Sequence, residues 1–331
     1  GNFNARESRE QRMNYASGYH APVLCNAVLK GLITRTDGVY VDGTLGGGGH
    51  TAAMLDELGA SGRVFAIDRD DDAIAEASTR LTAELESGRL TILRGNFSEM
   101  GSLLEEKGVN QVDGILLDLG VSSHQLDEAD RGFSHRLSGP LDMRMDQSQD
   151  DDAADLVNQL EEDQLANVIY QFGEERRSRR IARAIVRARP ILSTEQLADV
   201  VRSAAERDQR SKTLARVFQA LRIAVNGELD ALDETLLRST NLLHTGGRLV
   251  IISYHSLEDR RAKHFMRSGN LKGEILKDFF GNRITPWKEI TRKAIVADES
   301  EVEQNPRSRS ARLRIAERVE DSAYSVTSSL N

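Results

Sequence analysis

Cysteine is almost missing from this chain: Cys25 is the one thiol in 331 residues. That rules out a disulfide framework and a cysteine-rich zinc site. With Val23 and Leu24 beside it, Cys25 is expected to be a small buried hydrophobe. Long hydrophobic runs are missing too. The longest, such as Gly114–Leu117 and Leu249–Ile252, fall far short of the roughly 20 residues of a spanning helix. Residues 1–19 have no apolar centre and carry acidic side chains, so they fit neither a secretory signal nor a transit peptide. They are expected to be a flexible polar segment, and the protein to be cytoplasmic with no membrane partner. An excess of positive charge is also lacking. Lys and Arg number 44 against 52 Asp and Glu, a formal net charge of −8, so any nucleic-acid contact must rest on a local basic face. The seven histidines never stand three or four residues apart, which excludes a helical metal pair. No metal site is expected.

What the chain does have is alternation. Its length, divided by about 150, allows two domains or one domain with a large insertion. After a helical stretch from Val23 to Leu32, the runs Gly38–Asp42, Arg63–Asp68, Leu90–Leu93 and Val112–Asp118 read as strands separated by helices. Asp70–Asp72 is placed to cap the helix after the second strand. Such alternation means a parallel, doubly wound α/β sheet, whose ligands sit beyond the C-terminal strand ends. From Gln125 to Ser211 the pattern gives only helices, over Ala153–Leu160, Glu162–Tyr170, Glu174–Arg189 and Thr194–Ala205. Sheet character returns at Gly247–Ile252 behind one long helix, Leu214–Leu243, and Ala311–Ala316 reads as an edge strand. The expected organisation is an all-helical domain at 125–211 inserted into an α/β domain made of 20–124 and 212–331.

Three of the strands end in an acid: Asp42, Asp68 and Asp118. The first is followed by Gly43–His50, with five glycines in eight positions. That composition favours positive φ and a loop whose free N–H groups a ligand can approach closely. Gly47–Ala52 matches G-x-G-x-x-A, but it begins several residues after the strand, unlike a dinucleotide fingerprint. Asp42 argues the same way, because a carboxylate repels a pyrophosphate and attracts the amino group or sulfonium of S-adenosylmethionine. Asp68 is placed to accept two ribose hydroxyls, Phe97 to pack on an adenine face and Asn96 to bond an adenine edge. Plainer alternatives exist, with Phe97 in the core and Asp68 as a helix cap. Four strand ends filled in register favour a cofactor site.

At DLGVSSHQLD, Asp118 to Asp127, the chain resembles the bacterial 16S ribosomal RNA cytosine-N4 methyltransferase family. The resemblance runs from about His20 to Arg318. It rests on an ordered set of motifs: YVDGTLGGGGHT, AIDRD, LLDLGVSSHQLD, RGFS with GPLDMRMD, GEERRSRRIARAIV, VFQALRIAVNGELD, ISYHSLEDR and NPRSRSARLRIAER. It implies a Rossmann-like class I methyltransferase sheet and S-adenosylmethionine as cofactor. It implies as substrate a cytidine in the decoding region of 16S ribosomal RNA, within an assembled or late-assembly small subunit, and leaves a homodimer open. The family's cofactor motif implies binding by Gly48, Gly49, His50, Asp68, Phe97, Asp118 and Gln125. Gly47 stands where the family has Arg or Lys, His124 where it has Pro, and Tyr254 where it has Phe. None of these changes removes an implied cofactor ligand.

An exocyclic cytosine amine is a poor nucleophile, its lone pair being delocalised into the ring. Transfer from a sulfonium is an in-line displacement, so an enzyme gains most by positioning and by accepting N–H bonds. Cys25, before the first strand, is not placed for thiol attack on a ring carbon. Asp118 is the expected proton acceptor or amine-orienting group. Tyr254, able to stack, and His255, equally readable as a core histidine, follow the fifth strand. RNA contact is expected from the helix Glu174–Arg189, where Ile181 and Ile185 belong to a buried stripe and Arg176, Arg177, Arg179, Arg180, Arg183, Arg187 and Arg189 face out. Arg307, Arg309, Arg312 and Arg314 add to that basic surface, although a charge run is usually only a solvated face. Two rival readings are an NAD-dependent oxidoreductase, separable by calorimetry with the two cofactors, and a non-catalytic ribosome-assembly RNA-binding factor. The intact glycines and acids argue against the latter.

Overall fold

A computed structural model describes residues 22–320; the flexible segment expected over 1–19 lies outside them. The runs read as strands form Val39–Asp42 (β1), Arg63–Asp68 (β2), Leu90–Arg94 (β3) and Val112–Asp118 (β4), all but β3 ending in an acid. Leu243–Ser253 (β5), Trp287–Glu289 (β6) and Arg312–Arg318 (β7) complete one seven-stranded sheet in the order β3-β2-β1-β4-β5-β7-β6. The first five strands run parallel, and β7 is antiparallel to both β5 and β6. Successive residues of β4 enter opposite layers: Leu116 packs with Leu32, Tyr40 and Ile252, while Ile115 and Leu117 pack with Ile67, Leu104 and Phe265. A sheet covered on both faces, with helices between its parallel strands, is the Rossmann-like α/β class. The winding direction reverses between β1 and β4, which makes the crevice at their C-terminal ends the topological switch point.

Two expectations in this part of the chain are corrected. Ala311–Ala316 falls in β7, an internal strand, and the edge is the three-residue β6, too short to show a period. Its Trp287 is buried beside Phe265, with ring centroids 5.7 Å apart. Cys25 is only half-buried, because it opens the helix Cys25–Leu32 whose buried residues are Val28, Leu29, Gly31 and Leu32.

The chain divides into two units, Val121–Leu229 and the remainder. Val121–Leu229 contains the helices Ser123–Asp127, Ala153–Gln159, Glu162–Gly173, Ser178–Ala188, Thr194–Ala204 and Arg210–Asn226, and no strand among the described residues. They close on a core that includes Leu165, Ile169, Ile181, Leu197 and Val217. The unit extends past the expected boundary at 211 because the long helix expected over Leu214–Leu243 is two helices. Gly227, with φ 56°, ends the first, and Asn226 fixes the break by accepting from the Met145 N–H (2.9 Å) and donating to the Met143 carbonyl (2.8 Å). The second, Glu228–Leu242, runs into β5 and buries Leu232 and Leu236 under the sheet. No helix among the described residues is long and apolar enough to cross a membrane.

Arg314 of β7, expected on a basic surface, is instead buried in a two-point pair with Asp259 (Nε–Oδ1 2.7 Å, Nη2–Oδ2 3.2 Å). Both side chains are only about one-tenth exposed (10% and 11%). Arg314→Met strips a buried carboxylate of its closest cation and is expected to cost about 3 kcal/mol of unfolding free energy, read as a lower urea midpoint at unchanged m-value. Adding Asp259→Leu should recover most of the loss.

Candidate active site

The loop after β1 is fastened before it enters the helix Gly49–Glu57. The Gly43 N–H donates to Leu116 O of β4, and the Leu45 N–H to Ile67 O of β2, each at 2.9 Å. Asp42 has no exposed surface. Its Oδ1 accepts from the Thr44 N–H (3.1 Å) and hydroxyl (3.4 Å), and its Oδ2 from the Thr51 hydroxyl (2.7 Å). Burial pushes the Asp42 carboxyl up, opposed by His50 and these hydrogen bonds. Asp42 is therefore the loop's anchor, and the direct cofactor contact expected of it is corrected, since both oxygens are turned inward. Gly46 (φ 51°) and Gly48 (φ 83°) hold left-handed conformations, which residues with a Cβ rarely adopt. A Cβ on Gly49 would stand 2.9 Å from Pro22 Cγ.

Asp68 ends β2, half-buried, with Oδ2 accepting from the Gly46 N–H (2.8 Å) and Oδ1 from the Asp70 N–H (3.0 Å). Burial raises its carboxyl to about 6, and those two N–H groups oppose the rise. Each oxygen keeps a lone pair open. The capping role falls to Asp70, which accepts from the Asp72 N–H at the start of the helix Asp71–Arg80. Asn96 uses Oδ1 to accept from the Ser98 N–H (3.1 Å), capping the short turn Phe97–Glu99, so its amide NH₂ is the part left for a ligand. Phe97 is half-buried against the core below Gly43, where a Cβ would come within 3.3 Å of its own.

Asp118, at the end of β4, joins three segments. Its N–H donates to Thr44 Oγ1 (2.7 Å), its Oδ1 accepts from the Tyr254 hydroxyl (2.7 Å), and its Oδ2 stands 3.6 Å from His50 Nδ1. His50 sits in the first turn of Gly49–Glu57 with Nε2 2.8 Å from Val23 O. Burial pushes the Asp118 carboxyl up, while His50 and the Tyr254 hydroxyl hold it back. The Tyr254 phenol rises well above its ordinary value through burial and the neighbouring Asp118 charge. The shared proton thus rests on the tyrosine, which donates to a carboxylate.

His255 is used otherwise. It is the N-cap of the helix Ser256–Ser268, with Nδ1 accepting from the Glu258 N–H (3.4 Å) and Nε2 3.4 Å from Glu258 Oε1. Glu258 Oε1 also accepts from the Tyr254 N–H (3.0 Å). The plainer reading of His255 is the one its geometry supports, and it positions the turn that presents Tyr254. Gln125 belongs to the second unit, where it closes a capping box with Ser122 (3.0 and 3.1 Å).

The arginine helix is shorter than its sequence suggests. Glu174 is left-handed (φ 53°) and ends the preceding helix, so the next begins at Ser178 and leaves Arg176 exposed in the turn between them. Arg179, Arg180, Arg183 and Arg187 are exposed opposite Ile181 and Ile185. Arg189 turns inward to the carbonyls of Val157 and Leu160, and Arg177 pairs with Glu206. These two leave the basic face. In the first unit Arg309 is exposed, whereas Arg307 lies close enough to Asp118 and Tyr254 to oppose the rise of both. Thr44 and Thr51 escape the sequence pattern, which also placed Arg307 on a basic surface and not beside Asp118. The one available signal is a pair of hydroxyl residues flanking a glycine run that starts at an acid.

The sequence profile of the MraW methylase family matches residues 17–319. The chain is 46% identical over 303 residues to the ribosomal RNA small subunit methyltransferase H of Bacteroides thetaiotaomicron, covering 91% of this chain and 97% of that protein. It is 50% identical over 311 residues to the protein of that name from Granulibacter bethesdensis, covering 91% and 92%.

Removing the hydroxyl in Tyr254→Phe withdraws a hydrogen bond that favours the Asp118 carboxylate. The Asp118 titration, followed by NMR of a carboxyl-labelled sample, is expected to move further upward. Unfolding free energy should fall by only about 1 kcal/mol.

Proposed function

The chain belongs to the MraW methylase family, and from that membership we propose that it moves a methyl group from S-adenosylmethionine to the exocyclic N4 amine of a cytidine in the decoding region of 16S ribosomal RNA. The substrate form is an assembled or late-assembly small subunit, met in the cytoplasm. The names of its relatives support methylation of small-subunit ribosomal RNA. The observation that carries the amine assignment is the Asp118 carboxylate held by the Tyr254 hydroxyl at the end of β4. A strand-end thiol, which ring-carbon chemistry needs, is not offered by Cys25 at the head of its helix.

The side chains at the strand ends suit the cofactor. Asp68 has a lone pair open on each oxygen for the ribose hydroxyls, Asn96 has an amide NH₂ for an adenine edge, and Phe97 has a half-exposed ring for the adenine face. Gly48, Gly49, His50 and Gln125 complete the set implied by the family motif. When bound, S-adenosylmethionine supplies an electrophilic methyl group on a sulfonium. Asp118 accepts an N–H of the amine and so fixes the direction of its nitrogen. Transfer would exchange the methyl–sulfur bond for the new N–C bond, the electron pair staying on sulfur; the nitrogen would become cationic and its proton would pass to the Asp118 carboxylate, whose proton affinity burial has raised. Tyr254 keeps the carboxylate ionised and in one orientation until then. Arg176, Arg180 and Arg187 of the second unit, with Arg309 of the first, are the phosphate contacts.

Small subunits incubated with methyl-labelled cofactor are expected to become labelled in their 16S RNA, and digestion should release N4-methylcytidine. Release of 5-methylcytidine would overturn the amine assignment. Asp118→Asn should slow single-turnover transfer by about a hundredfold or more while changing cofactor affinity, measured by calorimetry, far less. A wild-type rate with weakened binding would make Asp118 a cofactor ligand alone. For Asp68 the pH dependence has a definite sign. Its carboxyl titrates at about 6 in the free protein, and ribose hydroxyl donors favour the charged form. Cofactor affinity is therefore at its plateau above that value, and falls toward about tenfold per pH unit below it. Asp68→Asn should bind more weakly and lose this dependence.

A further inference from the structure

Residues 270–296, between the helix Ser256–Ser268 and β7, reverse the charge balance of the chain. They hold six lysines and arginines against three acids, in a protein of net charge −8. All six, Lys272, Lys277, Arg283, Lys288, Arg292 and Lys293, are exposed. Lys277 and Arg283 face each other as an isolated antiparallel bridge, and the turn between them is fixed several times over. Asp278 Oδ1 accepts from the N–H groups of Asn282 (2.8 Å) and Phe280 (2.9 Å), and Oδ2 from the Asn282 side-chain amide (3.2 Å). The Asp278 N–H donates to Asn282 O at 2.8 Å, and Gly281 supplies the left-handed residue at φ 82°. Those N–H groups hold the Asp278 carboxyl below its usual range, so one of the three acids is consumed by the turn.

At the tip stand Phe279 and Phe280, 98% and 86% exposed. Their rings meet edge to face, centroids 5.8 Å apart at 88°, so their faces point in different directions. Trp287 and Pro286, a few residues on, are buried, so the segment has a core to fold onto, and the stiff turn withholds these two rings from it. Two exposed phenyl rings on a hairpin whose paired strand positions are Lys277 and Arg283 are the converse of an unpaired stretch of RNA, which offers splayed bases and phosphates. An apolar protein partner would match the rings and leave the surrounding cations without a counterpart.

We propose that this hairpin is an RNA-contacting wedge, with Phe279 and Phe280 each stacking on an unpaired base of the substrate while Lys277 and Arg283 engage the flanking phosphates. The proposal rests on the reading of the substrate as ribosomal RNA. It adds a contact that reads unpaired nucleotides by their faces, not by their edges, and so selects splayed single strands over duplex.

Phe280→Trp in the full chain places a second tryptophan at the tip, the native Trp287 being buried. A single-stranded oligoribonucleotide is expected to quench its fluorescence, and the corresponding duplex to leave it unchanged. No quenching by the single strand, or equal quenching by both, overturns the proposal. With calorimetric cofactor affinity at the wild-type value as the control for folding, Phe279→Ala with Phe280→Ala is expected to raise KM for small subunits about thirtyfold or more at unchanged kcat. Tyrosine at both positions should retain the wild-type KM. An unchanged KM in the alanine variant, or a rise that sedimentation traces to a change in oligomeric state, overturns the wedge. Should the wild-type protein transfer no methyl group to small subunits, the substrate reading fails, and the quenching experiment still decides the hairpin.

Discussion

A carboxylate buried among hydroxyls organises the working end of this molecule. Asp42 has no exposed surface, and an ionised group so placed is costly unless hydrogen bonds satisfy it. The donors that do so are Thr44 and Thr51, one on each side of the glycine run. That requirement dictates the course of the loop. Thr44 must fold back over the end of β1, which leaves its hydroxyl in place to accept from the Asp118 N–H. Gly46 is then delivered to Asp68. The acids at the ends of β2, β1 and β4 are thus members of one hydrogen-bonded assembly, and the glycines are what let the backbone thread it.

Asp118 shows a balance of opposed effects. Burial alone favours the protonated carboxyl, whereas full solvation would leave a weaker base. His50, the Tyr254 hydroxyl and the more distant Arg307 charge pull against burial and the repulsion of Asp42.

The parallel strands were legible as short Val, Ile and Leu runs separated by helical stretches, three of them closing on an acid, and the switch point followed from their order. β6 was not, since three residues carry no period and Trp287 is buried against Phe265 of the preceding helix across an irregular segment that shows no pattern. The break at Gly227 was also hidden: a single glycine costs a helix only about 1 kcal/mol, and what fixes the break is the amide of Asn226 reaching Met143 and Met145. At the site, the positions of the acids were readable and their directions were not. Whether Asp42 faces a ligand or the interior depends on two threonine rotamers. His255 is a helix cap of a type rarer than Ser, Thr, Asp or Asn, and Arg314 is buried in a two-point pair with Asp259 on another element while Arg312 stays exposed and reaches the same carboxylate only at 3.8 Å. Composition counts these charges without saying which of them are spent on the fold.

The place of β7 has a consequence for how the chain is made. Among the described residues it is the last strand, yet it lies between β5 and β6, and β6 pairs with no other strand. A ribosome delivers the N-terminal strands first, so β1 to β5 can assemble while Arg312–Arg318 is still being synthesised. Throughout that interval the outer edge of β5, running Leu249 to Ser253, exposes unpaired N–H and C=O groups of a strongly apolar strand, a template for pairing with another chain. A nascent chain arrested before residue 312 keeps that edge open, and release of the last strand is what closes it.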